Sequence, residues 1–215
     1  FDGKILEKVD DKSISYREVL YPYFEDYFWY KLGINVIFGI KTDAKAEKLF
    51  LPIELLNSLD KAKIDGKSLV SEKKIIVKGT EKPASFSFLN SIYLIIALLL
   101  LVIVINKRIL FLSYLFVCGL LGVFLGLVGF YSEHQEILWN YNTLLFSPLF
   151  LILPFAKNKS FKILCNLSLI LLVIYTGFMI TKPHLMIMLP FIITGFYILL
   201  KLNGYVPSKL LSSVK

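Results

Sequence analysis

Phe88-Leu-Asn-Ser-Ile-Tyr-Leu-Ile-Ile-Ala-Leu-Leu-Leu-Leu-Val-Ile-Val-Ile105 is followed by Asn106-Lys107-Arg108 and then by a second apolar run from Ile109 to Phe130; this stretch decides the fold. A helix rises about 1.5 Å per residue, so about 20 apolar residues cross roughly 30 Å of hydrocarbon. Two runs of that length joined by three polar residues read as two membrane-spanning helices.

Three further apolar runs follow. The third, Thr143 to Phe155, is short and carries Pro148 and Pro154, so it is expected to be kinked, extended back through Ile137-Leu138-Trp139, or partly inserted. The fourth runs from Ile163 to Ile180, and the fifth from Leu185 to Leu200 with Pro190 inside it. The expected fold class is therefore an α-helical integral membrane domain of about five transmembrane helices, residues 86–215. Before it comes the tail of an α+β extramembrane domain, residues 1–85.

Composition supports that division. The 215 residues are 56% hydrophobic, with a mean hydropathy of +0.68, outside the soluble globular range. Fourteen of the 16 acidic and 15 of the 24 basic residues precede Phe86. The net charge of +8 thus divides as +1 before Phe86 and +7 after it. An excess of cations in the membrane part reports topology and not a nucleic-acid partner. With the first run entering from outside, the inner loops hold Lys107, Arg108, Lys157, Lys159, Lys162, Lys201, Lys209 and Lys215, and the outer loops hold only Lys182. The amino-terminal part, the loop 131–143 and the turn Thr181-Lys-Pro-His184 then share the non-cytoplasmic side.

In the polar part, Ser15-Tyr16-Arg17-Glu18 is a capping box, so a helix is expected from Tyr16. It should continue into the aromatic stretch Val19 to Tyr30 and end or break near Gly33. Asn35 to Ile40 is too short to separate helix from strand. Pro52 opens a second helix with the apolar stripe Ile53, Leu55, Leu56 and Leu59. Asp65-Gly66 marks a turn, and Lys74 to Lys78 is β-prone. The start at Phe1, with no basic and apolar leader pattern, reads as part of a longer chain.

The candidate chemistry lies in Tyr131-Ser-Glu-His-Gln-Glu-Ile-Leu-Trp-Asn-Tyr-Asn-Thr143, far more polar than a simple turn between spans requires. His134 is suited to acid–base work or hydrogen bonding, with Glu133 or Glu136 orienting it. Asn140 and Asn142 are suited to donating to a carbonyl or headgroup. The alternative is structural: His134 and the asparagines cap helix ends while Trp139 and Tyr141 join the interfacial aromatic belt. His184 by itself reads as interfacial. Glu133-His134-x-Glu136 with a distant His184 meets the spacing of a metal site only loosely, so no metal and no cofactor is expected. Cys118 and Cys165 fall inside apolar runs, which makes them small buried hydrophobes and not nucleophiles at the outer surface. Transport finds no support, because no clear internal repeat is present and no charge lies inside a span.

Three stretches together resemble a known family. They are Ser15-Tyr-Arg-Glu-Val-Leu-Tyr-Pro-Tyr23; Asp43 to Ala62 with Gly66-Lys-Ser-Leu-Val70; and Glu133-His134 through Asn140-Tyr-Asn142-Thr-Leu-Leu with Ser147-Pro148. In order and spacing they are similar to the later part of the Lnb-type lipoprotein N-acyltransferases of Bacteroidota. The resemblance implies a multi-pass inner-membrane enzyme with a periplasmic thiol-peptidase-like domain. Such an enzyme passes an acyl chain from phospholipid through an enzyme thioester to the amine of a lipoprotein's amino-terminal cysteine. The implied partners are phospholipid, diacylated lipoprotein and the membrane. The family's Asn-Cys and Gly-His blocks have no counterpart here, so its catalytic residues are expected upstream. What remains would form the floor of the active site: His134, Glu133, Asn140, Asn142, Trp139, Tyr141 and His184. Other readings are a membrane-bound cysteine peptidase or amidase, and a non-catalytic scaffold.

Overall fold

A computed structural model describes residues 14–46, 51–64, 66–77 and 86–206. In chain order its helices and strands are α1 (Tyr16–Val19), α2 (Phe28–Ile37), α3 (Pro52–Lys61), β1 (Lys63–Ile64), β2 (Lys67–Ser68), α4 (Ile92–Ile105), α5 (Arg108–Tyr131), α6 (Asn142–Leu145), α7 (Asn158–Met179) and α8 (Leu185–Leu202). Short 3-10 turns connect several of them. Contacts divide the chain into two units, residues 1–26 with 42–86 and residues 27–41 with 87–215. Residues 27–41 group with the second unit, whereas the sequence reading divides the chain once, near residue 86.

The first unit is built around the capping box. Ser15 Oγ accepts from the Glu18 amide while the Glu18 carboxylate accepts from the Ser15 amide at 2.8 Å, satisfying two otherwise orphaned donors. The helix so begun lasts one turn. Pro22 lies in a 3-10 turn, Tyr21–Phe24, so the expected continuation to Tyr30 does not form. Residues 14–16 pair with 44–46 through Tyr16 N–H to Ala44 O and Ala46 N–H to Ile14 O. Val19 and Ala46 are buried under Ile14, Tyr16 and Leu51. Arg17 is fully buried and donates to Asp43 at 2.7 Å and Thr42 at 2.9 Å. A buried guanidinium stripped of water requires such partners. Pro52 opens α3 as expected. β1 and β2 pair antiparallel, and Gly66, just before β2, has a φ of +78°. The β-prone run from Lys74 forms no strand in its described part, Lys74–Val77.

The second unit is a helical bundle. Among the described residues, α5, α7 and α8 are long and apolar enough to cross a membrane, while Ile92–Ile105 and Asn142–Leu151 are shorter apolar segments. The α4–α5 turn is abrupt because Asn106 adopts a left-handed conformation (φ +50°), a familiar helix stop. Gly33 does not break α2; it sits inside that helix with open space where a Cβ would project.

The third apolar run is not a continuous helix. α6 ends at Phe146, Ser147 is extended, and Pro148–Leu151 forms a 3-10 turn capped by Ser147 Oγ accepting from the Leu149 amide. Proline both lacks an N–H and pushes its predecessor out of the helical region. The segment descends beside α5, and glycines on α5 let its backbone approach. A Cβ at Gly129 would meet Leu138 at 2.9 Å, one at Gly122 would collide with the Phe146 carbonyl, and one at Gly119 would meet the Leu151 amide at 2.9 Å. Small residues at such contacts let apolar helices and segments approach backbone to backbone.

Pairwise contacts set the two ends of the bundle. Arg108 lies 4.7 Å above the Phe161 ring, and Asn203 donates to Asn166, so residues 106–108, 157–162 and 201–205 share one end. Tyr141 meets Phe178 and His184, and Trp29 donates to Leu89 O at 2.8 Å, so residues 87–91, 132–142 and 180–184 share the other. Helix α2 lies across that second end, with Leu32, Val36 and Ile37 packed on the bundle core.

Candidate functional site

A helix leaves its last four carbonyls without internal partners. At the end of α2 those acceptors meet two amides from more than a hundred residues away. Asn140 donates to Val36 O at 2.8 Å and Ile37 O at 2.9 Å, and Asn142 donates to Asn35 O and Val36 O, both at 2.9 Å. The other side of each amide is also engaged. Asn140 Oδ1 accepts from the Asn142 backbone N–H at 2.9 Å, and Asn142 Oδ1 accepts from the Tyr175 hydroxyl at 2.8 Å. Asn142 and Tyr175 are fully buried, where an unpaired polar group would be costly.

The backbone beside them is held equally closely. Gly39 N–H donates to Glu136 O at 2.7 Å, and Ile40 N–H to Trp139 O. A Cβ on Gly39 would collide with the Leu138 carbonyl, which is why glycine follows the helix. Trp139 has φ +54°, a left-handed conformation costing a bulky residue on the order of 1 kcal/mol. Its neighbours on both sides are fixed, and its side chain is 73% exposed.

Tyr141 carries the network inward. Its hydroxyl pairs with His184 Nε2 at 2.9 Å, and its ring lies 4.8 Å from Phe178, over which the Lys182 ammonium also sits. His184 is fully buried at the start of α8. The tautomer of His184 decides which of the two atoms donates.

Four of the seven expected floor residues, Asn140, Tyr141, Asn142 and His184, are thus brought together. Trp139 stands at their edge. Glu133 and His134 lie exposed on the loop before it, so the two histidines occupy opposite environments. The asparagine Nδ2 groups cap the end of α2, while Asn140 Oδ1 accepts the first amide of α6, that of Asn142. Both Nδ2 groups are spent on main-chain carbonyls, so they position backbone.

Tyr175 and Gly39 escaped the sequence reading. Tyr175 was detectable as a hydroxyl within the fourth apolar run, and Gly39 as a glycine just past a helix end. Cys118 and Cys165 are free and buried inside α5 and α7. Among the described residues no three His, Cys, Asp or Glu side chains gather as metal ligands.

Next to the network, the glycine face of α5 is incompletely filled. A cleft of about 360 Å³ runs past Gly126, Gly129, Leu138, Trp139 and Tyr141, and a second of about 610 Å³ past Gly122, Gly126, Thr143, Leu144 and Pro148. They share Gly126, Thr143 and Leu144. The chain matches no known protein family, no curated protein and no solved structure.

Proposed function

We propose that this chain is the membrane part of a lipoprotein N-acyltransferase, which moves an acyl chain from phospholipid to the amine of a lipoprotein's amino-terminal cysteine. The observation that carries the reading is the buried Asn140–Asn142–Tyr175 network. It fastens α2 across one end of the bundle and so builds a platform out of the block 133–148, one of the stretches that carry the family resemblance. A rigid floor beneath a catalytic domain is what acyl transfer at a membrane surface requires, since misplacing reacting groups by about 1 Å can cost about a hundredfold in rate. The nucleophile comes from outside these residues.

On this reading the chain crosses the bacterial inner membrane five times: α4, α5, the broken segment around α6, α7 and α8. The platform end faces the periplasm, together with the amino-terminal unit. The cation distribution supports that sidedness, with Lys107, Arg108, Lys157, Lys159, Lys162 and Lys201 at the opposite end of the bundle. His134 and Glu133 are the exposed groups available to phospholipid or lipoprotein, while Asn140, Asn142, Tyr141 and His184 hold the floor.

Mass spectrometry of lipoprotein amino termini from cells lacking the gene tests the activity: loss of the N-linked acyl chain is expected, and unchanged N-acylation rejects it. Sidedness is tested by a cysteine introduced at Glu133 and an impermeant maleimide on intact cells. Cys118 and Cys165 are buried and contribute little background. Labelling from the cytosolic side alone overturns the assignment. A non-catalytic scaffold is favoured by one observation, the complete internal use of both asparagine amides; it predicts unchanged lipoproteins.

A further inference from the structure

We infer that α2 is an in-plane interfacial helix, with its Trp29–Tyr30 face seated in the headgroup layer of a lipid bilayer. The inference rests on the membrane placement proposed above and not on acyl transfer.

One face of α2 is accounted for by the bundle: Asn35 is buried, and Leu32, Val36 and Ile37 pack on the core. The outward face carries Trp29, Tyr30, Gly33 and Ile34, which helical spacing brings side by side. Trp29 and Tyr30 are 46% and 64% exposed there, and Lys31 is the only charged residue in the helix. A helix lying in water carries charged and polar residues opposite its apolar stripe. α2 instead carries two rings with one polar atom each, the kind of side chain suited to a boundary that is apolar on one side and wet on the other. Its ten residues rise about 15 Å, about half of what crossing requires, so the helix lies along the boundary.

Two further observations place that boundary at α2. The 14 residues of α4 cover about 21 Å of the roughly 30 Å of hydrocarbon. The crossing is completed by the 3-10 turn Phe88–Asn90, which adds about 6 Å and whose Phe88 and Leu89 are exposed. Trp29 Nε1 donates to Leu89 O at 2.8 Å, which sets the indole at that depth. The second observation is a distribution. Among the described residues of this unit, the exposed tyrosines and tryptophans at the α2 end are Tyr27, Trp29, Tyr30, Tyr93, Tyr131 and Trp139, against Tyr205 at the end that carries the cations. Such rings gather at membrane–water boundaries. Asn140 and Asn142 hold the last carbonyls of α2, so the depth of the helix is the depth of the platform.

The chain holds two tryptophans, so Trp139→Phe leaves an indole only on α2. The full Trp139→Phe chain is placed in phosphatidylcholine vesicles whose acyl chains carry bromine near the headgroup or near the bilayer centre. Trp29 should lose about half of its emission to the shallow bromines and little to the deep ones, as befits a helix lying at the headgroup and acyl boundary. A reference indole, Leu120→Trp in a chain with Trp29→Phe and Trp139→Phe, should show the reverse, because Leu120 is exposed near the middle of α5.

Equal or stronger quenching of Trp29 by the deep bromines overturns the in-plane placement. So does quenching by aqueous iodide alone, which would put α2 in water, and so does shielding from both, which would put it beneath another protein. In each case a quenched Leu120→Trp leaves the membrane placement standing. A reference indole that no brominated lipid quenches rejects that placement and this inference with it. If Trp139→Phe fails to accumulate, the difference between the wild-type chain and Trp29→Phe gives the same reading. Quenching reads depth and not transfer, so a shallow Trp29 with unchanged lipoproteins rejects the transferase alone.

Discussion

Residues 133–136 and 140–142 belong to one polar stretch and have similar chemistry, yet they meet opposite fates. Glu133, His134, Gln135 and Glu136 face water, while Asn140, Tyr141 and Asn142 are buried and joined to α2, α7 and the start of α8. Residue type alone would assign catalysis to either half. Burial separates them: a polar group removed from water must find a partner, and once it has one it becomes part of the scaffold. In the exposed half Gln135 Oε1 accepts from Lys41 Nζ, while the side chains of Glu133, His134 and Glu136 stand open to other molecules.

The comparison is broken or sharpened most strongly at Asn142. Asn142→Ala leaves the Tyr175 hydroxyl and the Asn35 carbonyl without this partner, and at about 1–3 kcal/mol per unsatisfied buried group the loss should be about 4 kcal/mol. A thermal melt of the purified protein checks it, and an unchanged midpoint would mean the buried half is not scaffold. Asn140→Ala strips Ile37 O and the Asn142 amide of the same kind of contact, but nearer the surface, so about 2 kcal/mol is expected. Asn140→Asp should do no better, because a carboxylate cannot donate to the two carbonyls.

Tyr141→Phe keeps the ring contacts with Phe178 and Tyr175 and deletes one hydrogen bond to His184, so about 1 kcal/mol is expected. The double change with His184→Ala should cost less than the sum of the single ones, because the two side chains share that bond. On the exposed half, His134→Ala and Glu133→Gln should shift stability by less than about 0.5 kcal/mol. If the transferase reading holds, His134→Ala lowers N-acylation in the full protein while leaving its amount unchanged. Destabilisation by His134→Ala as large as that by Asn140→Ala would erase the contrast.

Several elements were legible because their causes are local. The capping box at Ser15–Glu18, Pro52 at the start of α3, and the apolar runs that became α5, α7 and α8 each depend on neighbours within a few turns. Pro148 correctly marked the third run as irregular. It could not reveal that the segment would pack backbone-first on Gly119, Gly122 and Gly129, because that requires knowing what lies opposite α5. Gly33 misled for the complementary reason: glycine permits a helix end without requiring one, and helix α2 passes through it.

The sequence by itself determined a set of apolar helices with most cations after residue 86 in alternate loops, since hydropathy and charge add up along the chain without reference to distant contacts. Tertiary structure alone decided which of two chemically similar half-loops would be buried, that the Nδ2 groups of Asn140 and Asn142 would close the distant α2, and that one histidine would be enclosed and the other left exposed. Those outcomes depend on pairs separated by 33 to 107 positions. Such pairs form only after the helices have packed, and no local pattern encodes which carbonyl an amide will meet.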